Sequence, residues 1–392
     1  MPTSTARRRR STPRPGHELA VVPDTADLDR RIAAARAATR ILWRGEEVPL
    51  DDVPERIARI PLRELRERLF MAYREALEAL NPLYLERLAA WTAEGDVNEK
   101  AAASATDPRQ LAVDLERFVL HSETPYYAAL RRDLALLDIE QGDGTEADLW
   151  RVANGAAWAH WFGPREVDRA IAATGRTSGV GGGFEGWRAA ESRLGGAGAD
   201  RSAGTAAVDG AYATIVGSPR WLGEELGVDA EEVPGLVDFV AFVRLWRLRR
   251  LIGLLQYELR LFATPDEPAL CRAYFAGMVG HITGVLVPEE AFLADVPAPF
   301  ASVRAIEETI LAAQVVDALE HRFGETWWRE PAARELTGSI GAATSTEDVL
   351  AQLGYDSLDW RPVLRQIRTR LIGEMSGYGG PNITTRAGTR KV

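Results

Sequence analysis

Residues 234–262 read PGLVDFVAFVRLWRLRRLIGLLQYELRLF. Pro234 suits a first helical turn, where a missing N–H costs nothing, and Pro265 follows soon after the run ends. Between them Val240, Val243, Leu248, Leu251, Leu255 and Leu259 recur at three- and four-residue steps, the period of a helix that buries one face. Phe239, Phe242, Trp246, Ile252 and Tyr257 widen the apolar surface, so other helices are expected to pack on more than one side. At 1.5 Å per residue the run would be about 43 Å long, enough to serve as the spine of a helical protein. Its arginines argue against a membrane span, where each central Arg costs roughly 2.5–3.5 kcal/mol. Arg244, Arg247 and Arg250 sit three apart on what reads as a common face, with Glu258 two turns beyond. These four are the candidate binding face, and the competing reading is pairing with acidic helices of the same chain.

The rest of the chain agrees with a helical fold. Its 392 residues are 46% hydrophobic and 27% charged, a globular composition with room for two or three core-bearing units. A net charge of -10 makes the bulk surface repel nucleic acid and anionic membranes. Cys271 is the only cysteine, which excludes internal disulfides and fits a reducing cytoplasm. No hydrophobic signal segment follows Arg7–Arg10, so the expected location is cytoplasmic and no membrane partner is expected.

Residues 1–22, with four consecutive arginines and several prolines, read as a disordered tail. Residues 23–174 read as an N-terminal helical domain: a helix through Leu28 and Ile32, a turn near Gly45 and Pro49, and a long pattern over 61–91 that Asn81-Pro82 breaks or kinks. Separate helices follow over 111–120 and 125–137, and Thr145 with Asp148 forms a start signal for another. Residues 175–210 are dense in Gly, Ala and Ser. They offer too little apolar surface to offset their ordering entropy and read as a flexible linker. Residues 211–372 form a C-terminal helical domain, with a second start signal at Ser345 and Asp348, and 373–392 read as a flexible tail. No run alternates with period two, so the expected fold is all-α, an elongated multi-helix array.

No catalytic constellation is assembled by spacing. A zincin helix needs two His four apart with Glu between them, and none of His17, His121, His160, His281 and His321 provides it. Gly181 to Gly186 formally matches a dinucleotide-binding glycine pattern but lacks the strand such a site requires. Glu289-Glu290 and Glu307-Glu308 are adjacent, so each pair points to different helix faces. No metal and no cofactor are expected.

Several stretches taken together resemble oligoendopeptidase F-like metallopeptidases of the thimet oligopeptidase group. They are Gly210-Ala-Tyr-Ala213, Ser218-Pro-Arg-Trp-Leu222, Leu254-Leu-Gln-Tyr-Glu-Leu259, Pro299-Phe-Ala-Ser-Val-Arg304, Ala312-Ala-Gln314 and Phe323-Gly-Glu-Thr-Trp-Trp328. In the first half, Leu80-Asn-Pro-Leu83 and Asp148-Leu-Trp-Arg151, leading to Trp161-Phe162, resemble the N-terminal helices of the same proteins. The resemblance implies a helical scaffold from which the catalytic lobe with its H-E-x-x-H helix is missing, the Gly-rich stretch standing in its place. The family's third zinc ligand, a Glu, corresponds to Asp209 just before Tyr212, and the positions of its carbonyl-holding tyrosines carry Ala301 and Ala305. Joint loss of ligands, base and tyrosines implies a catalytically inactive relative that binds a peptide or protein partner. Two alternatives stand beside it. One is an active zinc metallopeptidase with a site rebuilt around His160 and His281. The other is a nucleic-acid-associated protein acting through Arg7–Arg10, which the acidic body disfavours.

Overall fold

The computed structural model describes residues 25–94, 106–140, 142–176, 186–195 and 201–371. The two terminal tails, including Arg7–Arg10, and most of the Gly181–Gly186 pattern lie outside the described residues. The fold is all-α, with one two-stranded sheet among the described residues. In chain order the first elements are α1 (Thr25–Ala38), β1 (Arg40–Trp43), β2 (Glu46–Pro49), α2 (Val53–Arg59), α3 (Arg63–Glu94), α4 (Pro108–Ala135), α5 (Glu146–Ala153) and α6 (Pro164–Ala172). They are followed by α7 (Gly186–Gly195), α8 (Ala203–Thr214), α9 (Val233–Ala263), α10 (Pro268–Thr283), α11 (Ala301–Phe323), α12 (Pro331–Gly341), α13 (Thr346–Leu353) and α14 (Arg361–Leu371). No helix among the described residues is long and apolar enough to cross a membrane.

The predicted spine is α9, and it is shared between two cores. Its first two thirds, through Val240, Phe242, Leu248 and Ile252, belong to a large core with α4–α8 and α11–α14. Leu254, Tyr257 and Leu261 belong instead to a smaller core with α1–α3, the hairpin and α10. The packing therefore does not divide at residues 175–210: each core takes helices from before and after that stretch.

Start signals are met where the sequence places them. Thr145 and Asp148 form a reciprocal cap on α5, and Ser345 Oγ accepts the Asp348 N–H at 3.1 Å. Three local readings are corrected. Pro82 and Pro125 do not end helices; they lie inside α3 and α4. A proline removes one helical hydrogen bond and crowds the preceding turn, a cost of about 3 kcal/mol that flanking burial can offset. Beside Pro125, Tyr126 is fully buried, stacks on Phe242 and donates to the Thr283 carbonyl at 2.6 Å. Around residues 40–49 a hairpin forms, with Arg44 and Gly45 both at positive φ (54° and 87°), the two-residue turn whose twist suits antiparallel strands. Strands of four residues are too short to show a period-two pattern.

The third correction concerns the Gly-rich stretch. Two parts of it, 186–195 and 203–210, are helical in α7 and α8. Trp187 is buried against Phe239 and donates to the Ala153 carbonyl at 3.1 Å. In α8 the small residues are the packing device. A methyl on Gly210 would stand 2.7 Å from Ala312 Cβ, so α8 and α11 meet nearly backbone to backbone. Gly204 is tighter still, since an added Cβ would lie 2.0 Å from the Ile340 carbonyl oxygen and 2.7 Å from that of Ala343. Alanine at this helix position is favoured by propensity by up to about 1 kcal/mol, yet Gly204→Ala is expected to destabilise the protein by about 1–3 kcal/mol through overpacking. A urea midpoint that stays level or rises in this variant would contradict the close approach of α8 to the α12 end.

Candidate functional site

Arg244, Arg247 and Arg250 are three residues apart, and on a helix each such step turns the side chain by about 60°. The structure accordingly separates them. Arg250 faces α5 and the loop before α11, with Nε 2.7 Å from Glu146 and a terminal nitrogen 2.5 Å from Asp295. Burial alone would lower its guanidinium, but Asp295 and Glu146 outweigh that and hold it above its ordinary value. Glu258 is elsewhere again. It is 1% exposed and accepts from Ser302 Oγ and from the first N–H groups of α11, whose own preceding residue, Phe300, offers no side-chain cap. Burial pushes its carboxyl up to about 7. The four residues read as one face are thus a cavity pair, an internal ion cluster and a buried helix cap.

Arg244 and Arg247 are the pair that lines a cavity of about 460 Å³ between α7, α8, α9, α11 and α14. One wall is small and apolar, with Ala206, Gly210 and Ala213 from α8 facing Ala305, Ala312 and Ala313 from α11. Leu248 and Leu251 of α9 and Val363 and Ile367 of α14 extend it. The other wall is charged. Arg244 donates to the carbonyls of Thr214 (3.0 Å) and Ala213 and lies 3.6 Å from Glu191, and Arg247 lies 2.8 Å from the same carboxylate while stacking on Trp187. Burial would raise the Glu191 carboxyl, but Arg247 and Arg244 outweigh it and keep it below the ordinary carboxylate range.

Arg370, on the last turn of α14, completes this wall. Burial, with the like charge of Arg244 beside it, pulls its guanidinium down to about 10, so it is charged at neutral pH. Among the described residues it has neither an ion-pair nor a hydrogen-bond partner; Glu320 acts on it from farther off. A methyl on Gly217 would stand 3.2 Å from an end nitrogen of Arg244 and 3.2 Å from one of Arg370, so the two guanidiniums lie no farther apart than twice that distance. Sequence reading missed Glu191, Arg201, Glu308 and Arg370. Only packing between distant segments brings them to the cavity of Arg244, and Glu191 and Arg201 sit in the stretch read as a linker.

The family positions scatter in the same way. Asp209 pairs with Arg176 (2.6 Å) and Arg201 (3.0 Å), and Tyr212 packs on Trp327 under the Arg176 guanidinium. Ala301 opens α11 beneath Glu258, and Ala305 alone of the four lines the cavity. His160 stacks on Trp161 with Nε2 3.6 Å from Glu232, while His281 is exposed on the last turn of α10. Among the described residues no three His, Cys, Asp or Glu side chains are grouped so as to hold a metal ion. Compared with protein-family models, curated proteins and solved structures, the chain matches none.

Proposed function

We propose that this chain acts by binding and not by hydrolysis, and that its ligand is a short peptide or the tip of a longer one. The observation that carries this reading is the cavity. At about 460 Å³ it falls within the range of small-molecule sites, about 300–1,000 Å³, and it sets an apolar wall opposite fixed cations. Such a cavity suits a ligand with an anionic group next to an apolar side chain: the anion at Arg247 and Arg370, the apolar group against Leu251, Val363 and Ile367. Several of the lining groups that chemistry would need are committed elsewhere. Thr214 and Thr309 donate their hydroxyls to helix carbonyls, and the arginines beside Glu191 lower its proton affinity and make it a weak base. The resemblance read from the sequence favours peptides over other organic acids.

A pool of tri- to pentapeptides containing acidic and apolar residues tests this by saturation-transfer NMR on the full chain. Peptides with both features are expected to bind, and Arg370→Gln is expected to weaken them by at least tenfold while thermal stability is kept. A charged, bidentate hydrogen bond of the kind removed is worth about 1.5–3 kcal/mol. Binding that ignores Arg370→Gln, or a pool in which nothing binds, would remove this reading.

A further inference from the structure

Charge around the cavity does not cancel. Arg201 faces Asp209 at 3.0 Å, a carboxylate it shares with Arg176, and Glu308 faces Arg304 at 3.0 Å, so both of those lining residues have counter-ions off the cavity wall. The remaining cations are Arg244, Arg247 and Arg370, and the carboxylate within ion-pair distance of the first two is Glu191. On the lining itself three positive charges face one negative, an excess of two that Glu320 offsets only from farther off. Arg188 adds positive potential at Glu191 rather than relieving it. Holding like charges together in a half-buried wall is unfavourable, and a single carboxylate from a ligand would cancel only half the excess. The spacing points the same way. Arg244 already spends donors on the Ala213 and Thr214 carbonyls, whereas Arg370 has its whole fork unspent among the described residues. An oxyanion with three terminal oxygens can accept from Arg370 in bidentate fashion and still reach Arg244 or Arg247. A carboxylate, with two oxygens, is used up by one fork.

Resting on the binding role proposed above, we infer that the group seated at Arg244, Arg247 and Arg370 is a phosphate monoester, carried on a peptide hydroxyl beside an apolar residue. The phosphate supplies the two negative charges and the third oxygen, and the apolar neighbour fills the Ala305, Leu251 and Ile367 side.

The test uses the full chain and one capped tripeptide, acetyl-leucyl-X-leucine amide, with serine, glutamate or phosphoserine at X, and phenyl phosphate as a non-peptide carrier. Calorimetry is expected to rank phosphoserine at least tenfold above glutamate, with serine weakest. The phosphoserine affinity is expected to fall as pH drops through about 6, where the phosphate takes up its second proton, while that of glutamate stays level to about 5. In Arg370→Gln the phosphoserine advantage is expected to vanish, and in Arg370→Lys to survive in part; circular dichroism checks that both variants fold. Equal affinity for phosphoserine and glutamate would overturn the phosphate and leave peptide binding standing. Binding of phenyl phosphate without phosphoserine peptide would uphold the phosphate and overturn the peptide as its carrier. If none of the four binds, both inferences fall together.

Discussion

Replacing Asp148 by alanine is expected to cost about 3–5 kcal/mol of folding stability, the range found when one partner of a buried ion pair is removed. Asp148 on α5 and Arg66 on α3 are 2.6 Å apart, and each side chain is 1% exposed. The carboxylate also accepts the Thr145 N–H and hydroxyl, closing the cap that starts α5. Arg66 meanwhile donates to the Ile60 and Pro61 carbonyls, which fixes the chain entering α3. Loss of the carboxylate therefore strands a guanidinium away from water and opens a helix start together. The double change Arg66→Met with Asp148→Leu is expected to recover a good part of the loss, because no charge is then left unpaired, though the cap stays broken. Urea unfolding of Arg66→Met, Asp148→Leu and their double completes the cycle, with Asp148→Ala measured beside them. A loss below about 1 kcal/mol for Asp148→Ala would mean that the pair is not sealed from solvent.

The second large effect is a dependence of stability on pH that runs through Glu258. Its carboxyl sits at about 7 in the folded chain against an ordinary 4.5, with burial the chief cause. Between those values the folded chain keeps a proton that the unfolded chain has released. The contribution to stability is thus fully present below about 4.5, declines as pH rises, and is gone once pH passes about 7. At about 1.4 kcal/mol per unit the total is on the order of 3 kcal/mol. Asp238, raised to about 6 by burial, slopes the same way but is common to wild type and variant, so it cancels in their difference. In Glu258→Gln the slope from Glu258 disappears. The stability difference between wild type and Glu258→Gln is therefore expected to change by on the order of 3 kcal/mol from pH 4.5 to 8. A difference that stays constant over that range would show that Glu258 ionises in the fold as it does in water.

What the sequence made legible was local. The 3.6-residue period of residues 234–262, the Pro near its start and the hydroxyl-acid signals at Thr145 and Ser345 are each contained in a few consecutive residues, and each appears in the structure where it was expected. What it hid was of two kinds. Burial by small residues leaves no hydrophobic signature: Ala206, Ala207 and Ala211 are buried because α8 can approach α11 and α12 closely, and not because they carry apolar bulk. Pairing across the chain leaves none either. Nothing near Arg244, Arg247 and Arg250 in sequence says that the first two share Glu191 while the third finds Glu146 and Asp295. A three-residue repeat precesses around a helix, so by Arg250 the direction has moved about 120° from Arg244. That rotation is what separates a cavity wall from an internal ion cluster.

One helix threading both cores has a consequence for how the chain comes apart. Melting of either core is expected to disturb the other, because α9 would lose the partners of one end while its backbone hydrogen bonds continue into the other. Scission near residue 175 would be no gentler. It would take α1–α3 from Leu254, Tyr257 and Leu261, and α4 from Phe242, leaving apolar surfaces bare on both fragments. The described residues are therefore expected to unfold as one cooperative body, two cores on a common axle.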